Sequence, residues 1–210
     1  APTVTALSAT HGPAVGGSNL TISGTGFLAG ATVRLGSATA TGVTVVNSTT
    51  ITATTAAHSA STVAVTVRNT DSQSATLLSA FTYRSAPTFT SVTPNAGALA
   101  GATAVTIKGT NFIVGEATGV SFGHASAVGV SIVDSTTITA STPANVAGAT
   151  SVSIIDSDGQ TVVTASAYTY QAAPSITVVS LNAGTSSQSV SVMGNSFLAG
   201  AGVTFGSASA

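Results

Sequence analysis

The chain has 210 residues, with 4 Lys+Arg against 5 Asp+Glu and a formal net charge of −1. Only 4% of it is charged, against about a quarter in an ordinary soluble domain, so Ser and Thr, about a third of the residues, must supply the polar surface. With 43% hydrophobic residues and a mean hydropathy of +0.52, it is too apolar for a disordered tail. The lack of a basic patch argues against nucleic acid, and the lack of a long apolar run argues against a membrane span. Cysteine is absent, which removes disulfides and thiolate metal sites.

The first residue is Ala1, and no charged and then apolar leader follows it. The expectation is that any targeting segment has been removed or was never included. Self-similarity organises everything downstream. Ala-Pro recurs at Ala1-Pro2, Ala86-Pro87 and Ala173-Pro174, each time opening a stretch of the same design. The predicted units are 1–85, 86–172 and 173–210.

In each unit an opening strand leads into a Gly-containing loop, HGPAVGGS from His11, NAGALAGA from Asn95 and NAGTSSQ from Asn182. A short alternating strand follows (NLTISGTGF, AVTIKGTNF, VSVMGNSF), ending on Phe27, Phe112 and Phe197. The next strand reaches a glycine in VRLGSA, VSFGHA and VTFGSA. Units one and two continue through NSTTITATT at Asn47 and DSTTITAST at Asp134, then through TVAVTVRNTDSQ and TSVSIIDSDGQ, closing on FTY at Phe81 and YTY at Tyr168. The third stops at Ala210, before these later strands. Leu20 and Ile22 alternate with Thr21, and Val63, Val65 and Val67 with Ala64 and Thr66. That is the period of a strand with one buried face. About seven short strands punctuated by Gly, Asn, Asp and Ser predict an all-β chain of tandem immunoglobulin-like β-sandwiches, two complete and one partial.

The ordered set of APTxT opening, Gly-rich loop, G-x-x-F element (Gly24 to Phe27, Gly109 to Phe112, Gly194 to Phe197), N/D-S-T-T-I-T strand and terminal F/Y-T-Y resembles the IPT/TIG family of immunoglobulin-like domains. The resemblance covers units one and two and the first half of the third. It implies a sandwich of a kind found in bacterial surface proteins, carbohydrate-active enzymes, cell-surface receptors and some transcription factors. The DNA-binding branch uses basic loops; with only Arg34, Arg68, Arg84 and Lys108 available, that role is not carried over.

One core is expected around Leu20, Ile22, Phe27, Val63, Val65, Val67 and Phe81, and a second around Val105, Ile107, Phe112, Val152, Ile154 and Tyr168. Tyr83, Tyr168 and Tyr170 read as end-of-strand packing near the joints. The joints, Tyr83 to Ala86 and Tyr170 to Ala173, are short and each precedes a proline, which predicts a semi-rigid rod. The segment from Ala173 lacks the strands that would complete its sandwich. Three explanations stand: the chain ends early, the segment is disordered, or another chain supplies the missing strands. On the last, Val190, Val192, Phe197, Val203 and Phe205 form a subunit interface.

Little in the sequence points to chemistry. His11, His58 and His124 share no metal-binding spacing. Asp156-Ser157-Asp158-Gly159 resembles the start of a calcium loop without its distal Glu, and reads as a hairpin turn with Gly159 at positive φ. The acids Asp71, Glu116, Asp134, Asp156 and Asp158 are spread over turns, with Asp134 in an Asx-type turn aligned with Asn47. No serine sits in a nucleophile elbow and no pair of acids suggests a glycosidase, so no enzyme and no cofactor are expected. Asn19-Leu20-Thr21 and Asn47-Ser48-Thr49 match the glycosylation pattern at Asn19 and Asn47. Low charge favours dense packing against copies of the same chain. The leading expectation is therefore an extracellular or cell-surface structural protein: a filament or surface-layer subunit or an adhesin stalk that self-associates. The alternative is an accessory carbohydrate-binding or spacer module contacting polysaccharide, although aromatics are sparse and Trp is absent.

Overall fold

The computed structural model describes residues 1–116, 118–180, 189–206 and 208–209. The first sandwich contains β1 (Thr3–Leu7), β2 (His11–Pro13), β3 (Asn19–Thr25), β4 (Thr32–Leu35), β5 (Ala38–Thr39), β6 (Thr41–Asn47), β7 (Thr50–Thr54), β8 (Ser61–Arg68) and β9 (Ser74–Arg84). The second repeats them as β10 (Thr88–Thr93), β11 (Ala96–Ala98), β12 (Ala104–Thr110), β13 (Gly119–Phe122), β14 (Ala125–Ser126), β15 (Val128–Asp134), β16 (Thr137–Ser141), β17 (Gly148–Ile155) and β18 (Thr161–Gln171). In the remainder lie β19 (Ser175–Val179), β20 (Val192–Asn195), β21 (Thr204–Phe205) and β22 (Ala208–Ser209).

One sheet of the first sandwich runs β1-β3-β7-β6 and the other β2-β9-β8-β4-β5; the second sandwich has β10-β12-β16-β15 and β11-β18-β17-β13-β14. The opening stretch changes sheets in both. β1 pairs antiparallel with β3, while β2 runs parallel to β9. Splitting the first strand this way lets one short segment close an edge of each sheet.

Alternation places Leu20, Ile22, Val65, Val67 and Phe81 inside the first sandwich with Val33, Leu35 and Ile51 from the facing strands. The second core joins Val105, Ile107, Phe112, Val152, Ile154 and Tyr168 to Val120, Phe122 and Ile138. Two expectations need correction. Val63 is only half-buried against its core. Tyr83 and Tyr170 are fully buried core residues rather than joint packing, because the residues facing inward on β9 and β18 continue in step from Phe81 and Tyr168. Tyr83 stacks on Phe81 edge-on with centroids 5.0 Å apart, as does Tyr170 on Tyr168.

The G-x-x-F element has a steric cause. Gly24 lies where a β-carbon would overlap the Thr3 carbonyl and come within 2.6 Å of the Phe27 ring. Gly109 stands in the same relation to Thr88 and Phe112, and Gly194 to Ser175 and Phe197. The missing side chain lets the opening strand and the phenyl ring both close on the glycine.

On the solvent faces, hydroxyl pairs stand where other proteins place charges. Thr3 meets Thr25 at 2.8 Å, Thr62 meets Thr82 and Thr66 meets Thr76 at 2.9 Å, and Thr88 meets Thr110 at 2.8 Å. Each spans two hydrogen-bonded strands, so the Thr-rich surface is also a cross-strand contact.

Candidate functional site

The most elaborate polar constellation lies where the first two sandwiches meet. Ser85, Ala86 and Pro87 separate β9 from β10. Arg84, the last residue of β9, holds Glu116 in a two-pronged ion pair, Nη1 to Oε2 at 3.0 Å and Nη2 to Oε1 at 2.8 Å. Glu116 also accepts from the Ser157 hydroxyl, and the His11 ring lies 3.6 Å from it. The Arg84 carbonyl accepts from Ala14 N–H of its own domain at 2.7 Å and from the Gln160 amide of the next at 3.3 Å. Asn111 donates to the Ala86 carbonyl at 2.8 Å. The planar guanidinium matches the carboxylate fork, which fixes orientation as well as distance.

The hydrogen bonds from Arg84, then Ser157, hold the Glu116 carboxyl down to about 2. Asp156 moves the other way: burial, followed by the nearby Asp158 charge, raises it to about 6. Glu116 pairs with Arg84, and Asp156 and Asp158 lie on the hairpin turn whose Ser157 reaches Glu116, so three of the five acids gather near the joint rather than being scattered. The sequence does carry one signal of this. Between Gly30 and Ala31 in unit one there is nothing, whereas between Gly115 and Thr118 in unit two stand Glu116 and Ala117. Unit three runs Gly200-Ala201 without this insertion, and Gln171 replaces Arg84 at the second joint.

The other candidate residues stay apart. His58 stacks on Tyr83 at 5.0 Å, and His124 is exposed on a turn. Among the described residues no group of three His, Cys, Asp or Glu could hold a metal. The Asp156–Gly159 stretch is a hairpin turn with Gly159 at φ +85°. Asp134 and Asn47 both form Asx turns, accepting from Thr136 N–H at 2.7 Å and Thr49 N–H at 2.9 Å. Asn19, exposed at the start of β3, accepts from the Thr54 hydroxyl at 3.0 Å. An open surface cleft of about 430 Å³, lined by His11, Leu77, Leu78 and Arg84 among others, has no acid in its lining.

In the third unit, β19 pairs with β20 as β1 pairs with β3. Several of its described apolar residues are exposed: Phe197 is 44% exposed where Phe27 and Phe112 are 3%. Val203 and Phe205 are also exposed, whereas their counterparts Val33 and Leu35 are fully buried. Val190 and Val192 are half-buried. The loop from Asn182 to Gln188 lies outside the described residues.

A model of the IPT/TIG domain matches residues 2–83 and again 87–170. The chain belongs to the IPT/TIG family. Among solved structures, this tandem IPT/TIG chain is similar to the plexin A4 extracellular region, at 22% identity and a TM-score of 0.50, over 85% of this chain and 16% of that one. It is also similar to a surface glycan-binding protein, SGBP-B, from a xyloglucan utilization locus of Bacteroides uniformis, at 20% identity and a TM-score of 0.38, over 89% of this chain and 58% of that one. Invasin, a bacterial integrin-binding protein, matches at 14% identity and a TM-score of 0.32, over 86% and 42%. The chain thus spans less than two thirds of the length of each. A search of curated proteins found no match. No helix among the described residues is long and apolar enough to cross a membrane.

Proposed function

We propose that this chain is an extracellular structural protein whose tandem IPT/TIG sandwiches form a rod, as part of a filament, surface layer or adhesin stalk. The observation that carries the reading is the joint at Arg84. A three-residue linker alone leaves two domains free to swing, whereas the ion pair with Glu116 and the shared Arg84 carbonyl tie them at several points. Tension along the chain then passes from β9 into the second sandwich through a fixed contact. The hydroxyl-covered surface supports the same role, since weakly charged copies repel one another little.

In this reading the apolar face of Val190, Val192, Phe197, Val203 and Phe205 is covered by a neighbouring subunit. Electron microscopy of the purified chain and of a Phe197→Ser, Phe205→Ser variant tests it. Ordered fibres or arrays from the first and dispersed particles from the second are the expected result. Monomers of the unaltered chain that are retained on a polysaccharide column would instead favour an accessory carbohydrate-binding module.

A further inference from the structure

Asn69 and Asp156 directly follow the equivalent strands β8 and β17 and begin equivalent turns. Asn69 N–H donates to Gln73 and Asp156 N–H to Gln160, each at 2.9 Å. Both side chains are buried, 5% and 4% exposed. Asn69 uses both ends of its amide: Nδ2 donates to the Gly26 carbonyl at 2.8 Å, and Oδ1 accepts from Leu28 N–H at 3.2 Å. It therefore pins the loop that follows β3. In the second sandwich the corresponding loop is 111–116, with Asn111 and Ile113 at the places of Gly26 and Leu28. Asp156 makes neither bond. Its Oδ1 lies 3.5 Å from the Thr118 hydroxyl, and its buried Oδ2 has no partner among the described residues.

An ionised carboxylate only accepts, so it cannot donate to a carbonyl as an amide does. A neutral carboxyl group has the shape of the amide and one proton to donate. We propose that Asp156 is a proton-operated latch: neutral, it holds the 111–116 loop as Asn69 holds its counterpart, and ionised, it releases that loop. The loop carries Glu116, so the latch acts on the joint between the first two domains.

The surroundings favour the neutral form. Asp158 and Glu116 oppose a charge on Asp156, and burial opposes it most; the Thr118 hydroxyl and Arg84 favour the charge and are outweighed, so the group titrates near 6. His11 faces Glu116 from the first domain. With the folded value raised above the ordinary 3.8, the stabilisation from protonation is complete below the unfolded value and is lost as pH rises through about 6.

The test is carbon-detected NMR of the full chain, following the Asp156 carboxyl and the Asn111 backbone carbonyl carbon. The expected result is a midpoint near pH 6 for the Asp156 carboxyl and for the Asn111 carbonyl, the group that only the neutral form can donate to. In Asp156→Asn the Asn111 carbonyl shift should be the same at pH 5 and pH 7.5. The ratio of the wild-type to the Asp156→Asn unfolding constant should fall on the order of 100-fold from pH 8 to pH 4. An Asp156 midpoint near 4, or an Asn111 carbonyl shift indifferent to pH in the wild type, would overturn the proposal.

Discussion

Tyr83 and Tyr170 close the two cores from the same position, yet only one has a partner for its hydroxyl. Tyr170 donates to the Pro143 carbonyl at 2.7 Å. The Tyr83 hydroxyl is buried without a partner among the described residues, its ring instead stacked on His58. Burial raises the pKa of both phenols, since the charged form is the more costly to hold away from water.

The two tyrosines should therefore respond differently to loss of the oxygen. Tyr170→Phe strands the Pro143 carbonyl and should cost about 1–2 kcal/mol. Tyr83→Phe removes a polar atom that bonds to nothing, and should leave stability unchanged or slightly raised. Urea titration with a domain-specific NMR signal for each sandwich reads the two effects separately; equal losses would contradict the assignment.

Gly24 and Gly109 should tolerate no side chain. A methyl group at either meets the opening strand's carbonyl and the phenyl ring together, and backbone cannot give way cheaply. Gly24→Ala and Gly109→Ala should each destabilise their own domain by about 2–4 kcal/mol. Gly202 has open space around it, so Gly202→Ala should move stability by less than about 0.5 kcal/mol. Thermal denaturation of the three variants ranks them.

The joint should loosen when its ion pair is removed. In Glu116→Gln the fork with Arg84 is lost, and the first two domains should report separate alignment tensors in residual dipolar couplings, where the wild type reports a common one. Acid should act in the same direction. Glu116 is held below its ordinary 4.5, at about 2, so its contribution is present above 4.5 and declines as pH falls toward 2. Tensors that remain common in Glu116→Gln would show that Gln160, Asn111 and the short linker suffice.

Much of the architecture was legible because strand physics is local. The alternation of Leu20, Thr21 and Ile22, the G-x-x-F spacing and the recurring Ala-Pro need no partner to be read, and the repeat allowed each unit to check the others. Asp134 and Asn47 were legible for the same reason: an Asx turn is made within three residues. Tyr83 and Tyr170 were misplaced because proximity to a joint in sequence says nothing about which way an inward-facing strand position points.

What the amino-acid order determined by itself was a set of amphipathic strands and turns, repeated, with too little charge to coat their surface in salt bridges. Only the tertiary structure decided that Arg84, Glu116, Ser157 and Gln160 meet, since the last two arrive on a hairpin more than seventy residues beyond Arg84. It likewise decided that Asn69 is satisfied and Asp156 is not, although the two occupy matching places in the repeat. The physical reason is range: side-chain alternation acts between neighbours in sequence, whereas ion pairing and burial depend on distances that exist only once the sheets have packed and the domains have met.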